Sequence, residues 1–313
     1  MSRRLLRTTL SRLLVLAPFT TGLACSSTAG CEGSTEQETF SISSVSLRDG
    51  GTASADMPCE ELCAHIGGTA PCSVSRSDGG TTLDQVTCEM RVLCEGRRPE
   101  GLRSDGAVAE RVSWLGALYA RMAHLEAASV PAFERLAEEL EAHGAPARLV
   151  RAARRSAKDE VRHARAMERL ARSHGAPMPE LQVAPFQPRS LEALALENAV
   201  EGCVRETFGA LLAGWQARTA EDPAVREALR SIAPDELRHA ELSWSIDAWA
   251  RSRLSPEARN RIEEARREAW RALEQDFAEA VLPESECRQA GLPAPGVARQ
   301  LVRELARSMS ATA

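Results

Sequence analysis

Two near-copies of one hexamer, Asp159–Ala164 (DEVRHA) and Asp235–Ala240 (DELRHA), constrain this chain more than any other feature. Each sets a Glu and a His three residues apart, so both side chains leave the same face of a helix. Those faces are otherwise apolar. A 3-4 alternation runs Leu149, Ala153, Ser156, Glu160, His163, Met167, Leu170 in the first case and Val225, Leu229, Ile232, Glu236, His239, Ser243, Ile246 in the second. Two further stripes of this period carry a carboxylate in place of a hydrophobe: Glu126 between Met122 and Phe133, and Glu201 between Leu194 and Phe208. An ionised carboxylate inside a core costs several kcal/mol unless it is paired or coordinated. No Lys or Arg lies on the four stripes, so metal ions are the economical source of the compensating charge.

The connections between the four patterns fit one arrangement. His143-Gly144-Ala145-Pro146 joins the first to the second, and Glu221-Asp222-Pro223 joins the third to the fourth, both short enough for antiparallel neighbours. Between the second and third lies a long crossing, Gly175 to Ser190, with Pro177, Pro179, Pro185 and Pro188. A Glu upstream of each ExxH, two hairpins and a long crossing resemble the ferritin-like superfamily, the fold of rubrerythrins, bacterioferritins and di-iron oxygenases. The resemblance covers residues 105–250 and implies an all-α, ferritin-like four-helix bundle with two extra C-terminal helices within 256–309. It implies two metal ions held by Glu126, Glu160, His163, Glu201, Glu236 and His239, with Glu160 and Glu236 bridging. Glu126 with His163, and Glu201 with His239, would complete the two ends.

Glu206 is the reserve for the third helix, as a ligand or as a carboxylate behind one; it stands about 140° around a regular helix from Glu201. By the same resemblance, Asp159 would orient His239 and Asp235 would orient His163 across the bundle; the other reading is two exposed aspartates. Tyr119, the only tyrosine, is a core aromatic or a hydrogen-bonding partner of the site that relays an electron. His124, His143 and His174 have no partner spacing and read as surface or turn residues. Pro131 and Pro234 fall inside the first and fourth patterns and predict a kink or a restart there.

The flanks place the protein outside the cytoplasm. Arg3, Arg4, Arg7 and Arg12 precede an apolar run from Leu13 to Ala24, which reads as a signal peptide within residues 1–31 and is too short for a stable span. Cys25 or Cys31 is the candidate for lipidation, giving a periplasmic protein or a membrane-anchored lipoprotein of the cell envelope. Residues 32–56, rich in Ser, Thr and Gly, read as a flexible tether. Residues 57–96 hold Cys59, Cys63, Cys72, Cys88 and Cys94 and read as a small disulfide-stapled module, because the spacings lack the CxxC pairs that zinc favours. Five is odd, so one of them is free or pairs with Cys31, Cys203 or Cys287.

Carboxylates with two imidazoles suit iron, with manganese as the alternative. The expectation is therefore an exported di-iron oxidoreductase, oxygenase- or peroxidase-like, that reacts with O2 or peroxide and with an unidentified substrate or electron donor. The alternatives are a non-catalytic iron-capture lipoprotein and a structural envelope lipoprotein with a relict site. A net charge of −5 with scattered basic residues gives no reason to expect nucleic acid, and membrane contact is expected through a lipid anchor only.

Overall fold

The computed structural model describes residues 3–16, 35–42, 53–65, 68–76, 84–91, 97–99, 102–104, 113–178, 181–277 and 284–310. Cys25, Cys31 and Cys94 lie outside the described residues, so the lipidation site and the fifth cysteine of the module have no structural counterpart here. The described residues are predominantly helical, with two disulfides among them near the N-terminus.

The Cys-rich segment folds around a short helix, α2 (Cys59–His65), and a sheet of β1 (Thr35–Ser41), β2 (Gly68–Ser75) and β3 (Gln85–Arg91). Both pairings are antiparallel and β3 is central. Cys59–Cys72 ties α2 to β2 and Cys63–Cys88 ties α2 to β3, over a core of Ile42, Leu62 and Val86. Disulfides rather than zinc occupy these cysteines, which fits a non-reducing, extracytoplasmic compartment. The tether is corrected in part. Residues 35–41 pair with β3 in register from Thr35↔Arg91 to Ser41↔Gln85. A main-chain ladder holds this polar strand, so it left no apolar alternation to read.

So small a core depends on its staples. Each closed loop, of 13 and 25 residues, is worth about 3 kcal/mol of unfolded-state entropy. Reduction is expected to melt this module first. In denatured, unreduced protein a thiol reagent should label Cys203, which forms no disulfide among the described residues, and spare Cys59, Cys63, Cys72 and Cys88. Labelling of those four as well would refute the pairing.

Four stretches build the main helical body: α3 (Trp114–Ala142), α4 (Ala147–Ser173), the third stretch from Leu191 to Thr219, and α7 (Pro223–Arg251). Their starts are capped as local chemistry dictates. Ser113 Oγ accepts from Gly116 N–H at 3.1 Å, Ser190 Oγ from Ala193 N–H at 3.2 Å, and the Asp222 carboxylate from Ala224 N–H at 2.7 Å. Gly144 closes the α3–α4 turn at φ +66°, a conformation that favours glycine. Helices α3 and α7 run on through Pro131 and Pro234, so neither restarts. The crossing carries β5 (Leu181–Val183), which pairs with β4 (Leu102–Ser104).

The third stretch is not one regular helix. It comprises α5 (Leu191–Glu197), a π-helical segment (Asn198–Glu206) and α6 (Thr207–Thr219). Among the described residues three more helices follow where two were expected, α8 (Pro256–Asp276), α9 (Glu284–Ala290) and α10 (Pro295–Ser310). The first helix, α1 (Arg3–Leu16), buries Leu6 and Leu10, and Arg7 pairs with Glu241.

Apolar side chains form two layers. One gathers Met122, Met167, Phe208 and Ile232, and the other Phe133, Leu136, Ala153, Leu242 and Ile246. The carboxylates and histidines of the two hexamers fall between them.

Candidate metal centre

In that layer, α3 supplies Glu126, α4 supplies Glu160 and His163, and α7 supplies Glu236 and His239. The i, i+3 spacing aims each Glu–His pair at the same interior point. His163 Nδ1 lies 3.0 Å from Glu236 Oε1 and 3.4 Å from both Glu126 Oε2 and Glu160 Oε2. His239 Nδ1 lies 3.0 Å from Glu160 Oε1, 3.7 Å from Glu236 Oε1 and 3.9 Å from Glu206 Oε2. Two groups able to hold a metal ion result: Glu126, Glu160, His163 and Glu236, and Glu206, Glu236 and His239, with ligand atoms within 4.8 Å of one another in each. Glu236 belongs to both.

The third-helix assignment changes. Glu201 turns away and pairs with Arg205 and, at 3.9 Å, with Arg98. Glu206, the reserve, is fully buried and faces Glu236 and His239. The π-helical segment is the reason. Its hydrogen bonds each span one residue more than in an α-helix, so the stripe that puts Glu201 between Leu194 and Phe208 at regular pitch loses its phase there.

Close approach does not satisfy these atoms. Both oxygens of Glu160 and of Glu206, Glu236 Oε1, and Nδ1 of His163 and His239 are buried without hydrogen-bond geometry to any described residue. Orphaned buried acceptors of this number are rare in native proteins and call for an explanation such as an ion. Electrostatics in the ion-free cluster follow from crowding. Burial, then Glu160, push the Glu126 carboxyl up; burial, then Glu236, do so for Glu206. Burial also works to raise Glu160 and Glu236, but the neighbouring histidines outweigh it and hold both low. Burial disfavours charge on His163 and His239, yet the carboxylates facing them overcome it and raise both imidazoles.

The outward ring nitrogens meet the opposite hexamer. His163 Nε2 is hydrogen-bonded with Asp235 Oδ2 at 3.2 Å, and His239 Nε2 lies 3.5 Å from Asp159 Oδ2. Each contact crosses from the histidine of one hexamer to the aspartate of the other. The arginine of each hexamer, which the sequence reading passed over, locks these aspartates: Arg162 Nη2 donates to Asp159 at 2.8 Å and Asp235 at 2.7 Å, and Arg238 pairs with the same two. The signal was in plain view, since both copies read DExRH.

A second network was not legible. Arg97, 1% exposed, donates to both Glu197 oxygens at 2.7 and 2.9 Å and to Asn198 Oδ1 at 2.8 Å, with its guanidinium 5.7 Å from the Phe133 ring. Glu139 and Arg189 extend it. A Cβ at Gly202 would sit 2.5 Å from Arg97 Nη2 and 2.6 Å from Ser243 Oγ, so the π-helical segment needs glycine where this arginine enters. Arg97 lies on no helix stripe and nothing local announces it.

Tyr119 does not reach the cluster. Its ring lies 5.3 Å from that of His174, and its buried hydroxyl, pushed up by burial, has no hydrogen bond among the described residues. It reads as a core aromatic. His124 is buried in α3 rather than at the surface. Cys203 is buried next to Asn198, outside both groups. None of the family models, curated proteins or solved structures compared with this chain matches it.

Proposed function

We propose that this protein is an exported, ferritin-like di-iron protein, with manganese as the alternative metal, and that it works as an oxidoreductase toward O2 or peroxide. The observation that carries the reading is the set of buried, unsatisfied carboxylate and imidazole atoms converging from α3, α4, the π-helical segment and α7. Glu126 and His163 would hold one ion, Glu206 and His239 the other, and Glu160 and Glu236 would lie between them. Such a pair of ions supplies one-electron redox chemistry with open positions for a small oxidant. The chain's own contribution is positional. Asp235 and Asp159 fix the ring orientation of the histidines, and Arg162 and Arg238 hold those aspartates in place. The apolar layers above and below exclude bulk water and strengthen every charge interaction within.

Metal analysis of the full chain produced in an export-competent bacterium tests this reading, followed by oxygen and peroxide consumption by the loaded protein. About two iron or manganese ions per chain with turnover is the expected outcome. Binding without turnover would replace the oxidoreductase with iron capture. No stoichiometric metal would overturn both.

A further inference from the structure

We propose that the groove between α4 and α7 binds an aliphatic carboxylate, with its head between Arg165 and Arg169 and its tail directed toward the His163–Asp235 edge of the cluster. The groove has a volume of about 710 Å³ and is lined by both hexamer regions, from Arg162 and His163 on one wall to Ile232 and Asp235 on the other. Its floor is apolar, formed by Ala166, Leu170, Ala228 and Ile232. Its cationic groups are not equivalent. Arg162 is spent on Asp159 and Asp235, whereas Arg165 and Arg169 are exposed and have no ion-pair partner among the described residues. Glu227, the one carboxylate on the outer rim, is paired with Arg230.

Two guanidiniums four residues apart stand side by side on a helix and repel each other without an anion between them. Their planar donor sets match a carboxylate. From Arg169 to His163 the helix advances about 9 Å, the reach of a short alkyl chain lying on the apolar floor. A polar ligand without a tail would leave that floor wet, and a neutral one would leave the arginines unpaired. The ligand's role as a substrate rests on the metal reading above; its binding does not.

Octanoate is the probe, titrated calorimetrically into the full chain after chelation and again after anaerobic Fe(II) loading. Wild type is expected to bind it in both states. Arg165→Ala/Arg169→Ala should weaken binding about tenfold or more, as loss of charge-assisted hydrogen bonds requires, with unchanged metal content and melting. 1-Octanol should bind wild type no better than octanoate binds the variant. Failure of wild type to bind octanoate, or equal affinity in the variant, overturns the proposal. Binding that persists in a chain that takes up no metal would refute the metal reading and leave the groove standing.

Discussion

Chelation is expected to lower the melting temperature of the metal-loaded protein by about 10 °C at neutral pH, and by more as pH rises. Ligand at a thousandfold excess over its dissociation constant stabilises a fold by about 4 kcal/mol, and each kcal/mol moves the midpoint about 2–4 °C in a body of this size. The pH dependence follows from the cluster. Glu126, Glu206, His163 and His239 have raised pKa values in the metal-free fold. Their contribution is complete below the ordinary values of the unfolded chain and drains away as pH rises through the raised ones, at about 1.4 kcal/mol per pH unit for each proton retained. Glu160 and Glu236 are held low, so their contribution is present above the ordinary carboxylate range and is lost as pH falls through the depressed values. The metal-free protein should therefore be most stable in mild acid and weaken steadily toward alkaline pH. The loaded protein, its ligands already stripped of protons, should be nearly flat there. Metal binding should release protons from the groups whose pKa values are raised. Melting curves with chelator and with anaerobic Fe(II) across this range provide the measurement; identical curves with and without metal at every pH would mean that these groups share no ion site.

Glu206→Gln should abolish binding at one of the two positions, whereas Glu201→Gln should leave both. Outer partners of metal ligands already cost 10–100-fold in affinity when removed, so loss of a ligand oxygen should cost about 100-fold or more. The substitution is isosteric and mimics the protonated carboxyl that burial favours at Glu206. Metal-free Glu206→Gln protein should therefore match wild type in acid and exceed it at alkaline pH, where wild type has to ionise a buried group. Glu201, paired with Arg205 and Arg98 outside the cluster, should show neither effect. Iron stoichiometry and the alkaline melting temperature of the two variants separate the assignments, and the reverse pattern would restore Glu201.

The contrast between these two glutamates marks where reading the chain as a string succeeds. Glu126, Glu160, His163, Glu236 and His239 were placed at one level because α3, α4 and α7 keep a regular pitch, and at regular pitch spacing alone decides which side chains share a face. Even the prolines at 131 and 234 do not end those helices. The third stretch breaks the premise. One π-helical segment shifts the phase, and no local propensity of Asn198–Glu206 announces it.

The sequence by itself determined the elements whose causes are local: the capped helix starts, the glycine turn after α3, the stripes of α3, α4 and α7, the two DExRH copies, and a cysteine-rich segment that staples itself. Tertiary structure decided the rest. Which cysteines pair, that polar residues 35–41 join the sheet, that Arg97 enters beside Gly202, and that Glu206 replaces Glu201 in the cluster all depend on partners distant in sequence. A periodicity records which way a side chain leaves its own helix. It carries no record of the foreign guanidinium or neighbouring strand that will claim the space beside it, because those contacts exist only once the chain has closed on itself.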